Sequence, residues 1–261
     1  MSINNYWSKK SPEIANGIFK SNLRKNNIIL EPFLGSGTSL EGIRRLNFKV
    51  KFVGVELNQM PLEYAKFNVN PPQLNELLNV RKKILTFYQQ NENLYEYPHP
   101  NYNTNCQLDR IVLDIDKNKI NIKSFLLHDG NKEKIILSKN KNLKNFEKCK
   151  NIYLERNKET KKKIKRDLLL DENSRIAIKS KMYISDLYSP ISFYILSKIC
   201  DEFVKDKLLK TIISSVIHLA KYTDLRSQSQ FPFWYPKTDA IDRNVLLLIL
   251  KKINFLIKNY P

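Results

Sequence analysis

Two carboxylates, Glu31 and Glu56, each close a short apolar run, and a Gly-x-Gly turn, Gly35-Ser36-Gly37, lies between them. The first run is Ile28-Ile29-Leu30 and the second extends from Val50 to Val55. Between turn and second run, Leu40, Ile43 and Leu46 recur at spacings of three, which predicts a helix over 36–47 with one buried face. The pattern is strand–loop–helix–strand. It puts a glycine loop at the carboxyl end of the first strand, where open α/β sheets bind ligands. Gly35 and Gly37 permit close backbone approach to a ligand and conformations that other residues resist. Glu56 follows the loop by about 20 residues, the spacing at which a carboxylate can accept both hydroxyls of an adenosine ribose.

The loop is not a general nucleotide signature. A dinucleotide site calls for a third glycine where this chain has Leu40, and a phosphate loop calls for a lysine that does not follow Gly37. Glu31, just ahead of the loop, would repel a phosphate. A zwitterionic ligand with an amino group and a ribose fits these residues better.

Glu31-Pro32-Phe33-Leu34-Gly35-Ser36-Gly37-Thr38, with Glu56 closing the next strand, resembles the S-adenosylmethionine motif of amino-methylating DNA methyltransferases. That family methylates adenine N6 or cytosine N4 and usually carries aspartate where this chain has Glu31. Tyr6-Trp7-Ser8-Lys9-Lys10-Ser11-Pro12-Glu13-Ile14-Ala15 resembles the segment that precedes the motif in members with permuted order. The similarity covers about 65 residues, a quarter of the chain. It implies that Glu31 faces the methionine amino group, that Pro32 belongs to the same cofactor-binding loop, that the backbone from Phe33 through Gly35, Ser36 and Gly37 to Thr38 cradles the methionine, and that Glu56 holds the ribose. The amino-terminal amides of the 36–47 helix would suit the methionine carboxylate. The fold implied is α/β, a Rossmann-like class I methyltransferase sheet with an inserted antiparallel β-rich segment.

The chain has 261 residues and a net charge of +19, with a sequence pI of about 9.7. Such a balance favours a polyanionic partner, DNA or RNA first, although abundant Lys, Asn and Ile also reflect AT-rich coding. No apolar run approaches the roughly 18 residues of a membrane span. The first residues lack a secretory core, so a cytoplasmic location is expected. Cys106, Cys149 and Cys200 form no C-x-x-C pair and indicate neither a disulfide framework nor a zinc ribbon.

Three segments are expected: an S-adenosylmethionine-binding α/β core over 1–106, a β-rich and basic insertion over 107–173, and a return to core over 174–261. Ser11 and Pro12 open a helix that should end near Asn26-Asn27. Pro61 starts another, which Asn70-Pro71-Pro72 stops. A helical piece over Leu74–Tyr88 precedes Tyr95-Glu96-Tyr97-Pro98-His99-Pro100-Asn101-Tyr102, a Pro- and Tyr-rich run that reads as a solvent-facing loop. Short strands are expected at 110–116, 119–122, 124–127 and 134–137, with Asp114 and Asp116 as turn-flanking charges and no metal site. Lys139 to Lys150 reads as a solvated loop, and Glu159 to Leu170 as a basic run able to contact phosphates. Ile176-Ala177-Ile178 reads as a strand, Ser189 as the cap of a helix through Ile199, and Leu208–Ala220 as helix or strand. An aromatic and polar loop follows at Arg226–Lys237, suited to stacking on bases, and Asn244–Lys258 ends the chain as a helix.

The same resemblance implies an Asp/Asn/Ser-Pro-Pro-aromatic tetrapeptide at the end of a later strand, where it accepts hydrogen bonds from the target amino group and stacks on a flipped base. The 261 residues contain none. Asn70-Pro71-Pro72-Gln73 lacks the aromatic and stands only 14 residues after Glu56, and Tyr188-Ser189-Pro190-Ile191 lacks the second proline. The expectation is therefore the cofactor-binding part of an enzyme that is truncated or split, with DNA as substrate, adenine N6 ahead of cytosine N4, and a second chain carrying the catalytic motif. No Pro-Cys pair supports cytosine-C5 chemistry. An RNA methyltransferase and a non-catalytic DNA-binding or cofactor-binding subunit are the alternatives.

Overall fold

A computed structural model describes residues 11–116, 119–129, 133–165, 167–169, 182–224 and 239–260. In chain order the elements are α1 (Pro12–Asn22), β1 (Ile28–Glu31), α2 (Thr38–Ile43), β2 (Lys51–Gly54), α3 (Gln59–Val69), α4 (Leu74–Asn91), β3 (Glu96–Pro98), β4 (Asn105–Asp116), β5 (Lys119–His128), β6 (Lys134–Ser138), α5 (Leu143–Lys163), α6 (Pro190–Glu202), α7 (Lys207–Ala220), β7 (Thr223–Asp224), β8 (Asp239–Arg243) and α8 (Val245–Lys258). The chain is mixed α/β. It divides into two compact units, one formed by 1–80, 207–215 and 253–261, the other by 81–206 and 216–252. None of the helices among the described residues is long and apolar enough to cross a membrane.

The first unit contains the parallel pair β1–β2, in register from Ile28 opposite Lys51 to Glu31 opposite Gly54. Ser11 caps α1 by accepting from the Glu13 amide at 3.1 Å, and Pro12 needs no donor there. The helix ends at Asn22, one turn short of the expected Asn26-Asn27. Asn26 instead takes a left-handed φ of 68° and its amide donates to the Lys49 carbonyl. Gly42 lets α1 and α2 touch: a Cβ there would lie 2.7 Å from the Ala15 Cβ. The helix expected over 36–47 is regular only at Thr38–Ile43, and Leu40, Ile43 and Leu46 are half-buried. Asn58 caps α3, and the Asn70 amide closes it on the Lys66 carbonyl at 2.8 Å before the two prolines, as expected of a helix stop.

The second unit is built on an antiparallel sheet in the order β6-β5-β4-β8-β7, with β3 added beside β4. The expected strands at 119–122 and 124–127 are one continuous β5, because a register shift between Val112 and Leu113 of β4 absorbs the irregularity. The Tyr95–Tyr102 run is not a solvent-facing loop over its first half: Glu96–Pro98 is β3, and Tyr95 and Tyr97 are buried. Nor is Lys139–Lys150 a loop, since α5 starts at Leu143 and buries Phe146, Cys149 and Tyr153. Phe146 and Tyr153 pack edge-on against Phe125, whose ring centroid stands 5.5 Å from that of Tyr97, and the Arg156 guanidinium lies over the Tyr97 ring. The strand expected at Ile176–Ile178 and the aromatic loop at Arg226–Lys237 lie outside the described residues.

A buried carboxylate ties this unit together. Asp242 of β8 accepts from Tyr153 of α5 at 2.8 Å and from Ser189 and Ser192, at the amino end of α6, at 3.0 and 3.2 Å. Next to it, Asn244 accepts from the Leu247 amide at the start of α8 and donates to the Leu108 carbonyl. Burial pushes the Asp242 carboxyl from 3.8 up to about 6, against the three hydroxyl donors, which pull it down. The folded state therefore holds a proton that the unfolded chain has released, and stability falls as pH rises from about 4 to about 6, by on the order of 3 kcal/mol from this group. The melting temperature of wild type, compared with Asp242→Asn, should drop over that interval and run parallel to the variant above pH 7. Parallel curves from pH 4 onward would refute the assignment.

Candidate functional site

The candidate cofactor loop lies in the first unit, at the carboxyl ends of β1 and β2. Parallel pairing brings Glu31 and Glu56 to the same end of the pair, and the chain crosses back through the Val55 backbone. The Val55 amide donates to the Glu31 carbonyl at 2.8 Å, and the Leu34 amide donates to the Val55 carbonyl at 2.9 Å. Leu34 turns inward and is buried, whereas Phe33 stands 87% exposed beside it. The turn then closes with the Gly37 amide donating to the Leu34 carbonyl at 3.0 Å.

Two glycines make this path possible. Gly35 and Gly37 take left-handed φ values of 54° and 82°, which cost a residue with a Cβ about 1–2 kcal/mol. Gly37 has a second reason to be glycine: a Cβ there would lie 2.9 Å from the Ala65 Cβ and 3.2 Å from the Ala65 Cα. Its bare backbone thus packs against α3, and its expected role in ligand approach is shared with a packing role that the sequence did not reveal. Ser36 is buried, with its carbonyl accepting from the Asn68 side chain of α3 at 3.5 Å. Thr38 begins α2, which has only six residues, so its dipole at the loop is smaller than the expected 36–47 helix would supply.

Glu56 is already engaged with the backbone. One carboxylate oxygen accepts from the Gly35 amide at 2.8 Å, and the other accepts from the Asn58 amide at 2.8 Å. Each oxygen keeps a further lone pair, so the same carboxylate can hold the loop and still accept the two hydroxyls of a ribose. Glu31, half-buried, accepts from the Phe33 amide at 3.3 Å and likewise retains acceptor capacity for an ammonium group. Pro32 is exposed at the turn. The eight residues singled out from sequence, Glu31, Pro32, Phe33, Gly35, Ser36, Gly37, Thr38 and Glu56, therefore sit on one loop and the strand end facing it. Sequence reading missed Asn58, Ala65 and Asn68, which brace that loop; only the helix-capping position of Asn58 was visible as a local signal.

Asn70-Pro71-Pro72-Gln73 borders a separate cavity of about 780 Å³, lined also by Leu34, Phe52, Gly54 and Ala65. Of the candidate cofactor loop only Leu34 reaches this cavity; Glu31 and Glu56 do not line it. Ahead of the loop, Glu13 accepts from Ser11 and from Arg45, and these bonds hold its carboxyl down at about 2. Comparison of the chain with protein-family models, with curated proteins and with solved structures gives no match.

Gly37→Ala combines left-handed strain with a steric conflict at Ala65, and together these should destabilise the protein by about 2–4 kcal/mol. Urea unfolding would measure the loss. In the double variant Gly37→Ala/Ala65→Gly, the cost should be smaller than the sum of the two single costs, because the steric part is removed; strictly additive costs would show that the close approach has no energetic weight.

Proposed function

We propose that the 28–58 unit binds S-adenosylmethionine and that the chain is the cofactor-binding part of an amino-methylating DNA methyltransferase of Rossmann-like class I type, adenine N6 ahead of cytosine N4. One observation carries this reading: at the shared carboxyl end of two parallel strands, the Glu56 carboxylate reaches back to a left-handed glycine loop, 21 residues from Gly35. A ribose against Glu56 would leave the methionine along the Phe33–Thr38 backbone and its ammonium group near Glu31. Both recognition groups are of the right charge: the Glu56 carboxylate as acceptor for the hydroxyls, and the Glu31 acid for the ammonium.

The reaction is direct transfer. The lone pair of the base amino nitrogen attacks the sulfonium methyl, the carbon–sulfur bond breaks to leave a neutral thioether, and the nitrogen loses a proton. The group that accepts from the target amino during attack is not among the 261 residues as a recognisable tetrapeptide, so a second polypeptide segment is part of the proposal. The exposed face of the parallel pair supports it. Ile28 and Leu30 are 69% and 66% exposed, with Val53 and Val55 about half exposed on the neighbouring strand. Parallel sheets are otherwise found with both faces covered, which is what additional strands and helices would accomplish here.

Calorimetric titration with S-adenosylmethionine should give micromolar binding by wild type. Glu56→Ala removes the charged acceptor of the ribose and should weaken binding about 10–100-fold, the equivalent of about 1.5–3 kcal/mol. Glu56→Gln, which keeps an acceptor for the Gly35 amide, should bind more tightly than Glu56→Ala. Undiminished affinity in Glu56→Ala, or absence of binding by folded wild type, would refute the site.

A further inference from the structure

We propose that the outward face of α5 is a docking surface for the phosphate backbone of duplex DNA. Residues 139–165 carry ten lysines and one arginine against three carboxylates, the densest positive charge in the chain. The helix sorts them. Phe146, Cys149, Tyr153 and Thr160 are buried on one side, and Lys144, Lys148, Lys158 and Lys162, all exposed, project from the opposite side. Between them that side offers Asn151 and Glu155, with Glu159 on its flank. From Lys144 to Lys162 the row runs about 27 Å at the rise of an α-helix.

Helix folding does not account for these lysines. Lys144–Lys148 and Lys158–Lys162 are like-charge pairs four residues apart, which destabilise a helix. Lys144 lies in the first turn, where a cation opposes the helix dipole; that turn contains no acid, and Asn142, at φ 61°, makes no side-chain cap. Lys161–Lys163 in the last turn do complement the dipole, so the first-turn lysine and the paired spacing are the features that need another cause. Ion pairing does not supply it: among the described residues, the ion pair on α5 is Lys150 with Glu147, on the flank of the row. Phosphates would relieve both repulsions at once.

A regular, stiff polyanion suits this row best. One strand of B-DNA presents a charge every 3.4 Å along its axis, so a duplex offers phosphates to both lysine pairs without having to be ordered first, whereas a flexible single strand loses entropy on being aligned. The inference rests on the proposed function only in taking DNA as the polyanion; none of the four lysines belongs to the cofactor loop.

The test is anisotropy of a labelled 20-base-pair duplex with the full chain and no cofactor, from 50 to 200 mM NaCl. The variant K144Q/K148Q/K158Q/K162Q should bind more weakly, with a slope of log K against log salt shallower by about 3–4. Its melting temperature should be equal or higher, since the repelling pairs are gone. K20Q/K82Q/K205Q/K210Q has the same net charge and should keep a slope within about 1 of wild type. Equal slope changes in the two variants, failure of wild type to bind the duplex, or a larger slope change with single-stranded RNA of the same length would overturn the proposal. Calorimetry with S-adenosylmethionine on the α5 variant separates the two ideas: unchanged cofactor binding with an unchanged DNA slope overturns the surface alone, and cofactor binding absent from wild type and variant alike faults the functional reading alone.

Discussion

Asp242 is the constraint on which the larger unit depends. A carboxylate removed from water has to find donors or take up a proton, and this one draws its donors from elements far apart in the chain. Tyr153 lies 89 residues away on α5, and Ser189 and Ser192 lie 53 and 50 away at the start of α6. Because α5 serves one oxygen and α6 the other of a single carboxylate on β8, neither can rotate without leaving a buried acceptor or hydroxyl unpaired. The positive end of α6 adds a favourable field. Once Tyr153 is fixed inward, the rotation of α5 is fixed as well, and Lys144, Lys148, Lys158 and Lys162 have nowhere to point but solvent. The outward charge of α5 is thus a consequence of how its inward face is anchored.

In the smaller unit the loop is shaped by the protein before any ligand arrives. Gly35 is held by Glu56, Ser36 by Asn68, and Gly37 by its contact with Ala65. The carboxylate and glycines singled out for the proposed site therefore also set the loop's backbone, which would lower the ordering cost of binding a ligand there. The same arrangement leaves the other side of the pair bare. Ile29 and Phe52 face inward, half-buried, while Ile28, Leu30 and Val53 alternate with them and face solvent. A two-residue period with apolar side chains on both phases is the pattern of a strand covered on both faces.

What was legible in the sequence was mostly short-range. Ser11-Pro12, Ser189-Pro190 and Asn70-Pro71-Pro72 act through groups within a few residues of one another, and the structure has helix boundaries at all three. The glycine turn with acids at both strand ends was readable for the same reason. The failures arose where composition masked period. In Lys139–Lys150 the buried positions Phe146 and Cys149, continued by Tyr153, are separated by three and four residues, but lysine and asparagine fill the intervals and a left-handed Asn142 hides the helix start. Tyr95 and Tyr97 alternate as strand residues do, yet Pro98 and Pro100 argue for a loop; Pro98 is tolerated because it ends the short β3. Nothing local distinguishes Asp242 from Asp239, three residues earlier and partly exposed in an ion pair with Lys123. Burial of a charge depends on partners that only the fold assembles.

That dependence also separates lysines that the fold uses from those it leaves free to act. Lys83 meets Asp206 at 2.6 Å, Lys123 meets Asp239 at 2.5 Å and Lys251 meets Asp109 at 2.6 Å, each pair joining segments more than a hundred residues apart. In those places a carboxylate has been supplied for the cation. Coding bias towards lysine would scatter cations over every exposed position, with acids near some of them by chance. It gives no reason for lysine pairs four apart at both ends of the helix side that the buried anchors turn outward, or for one in a first turn without an acid. Such pairs weaken the helix that bears them, a cost that the proposed phosphate contact would offset.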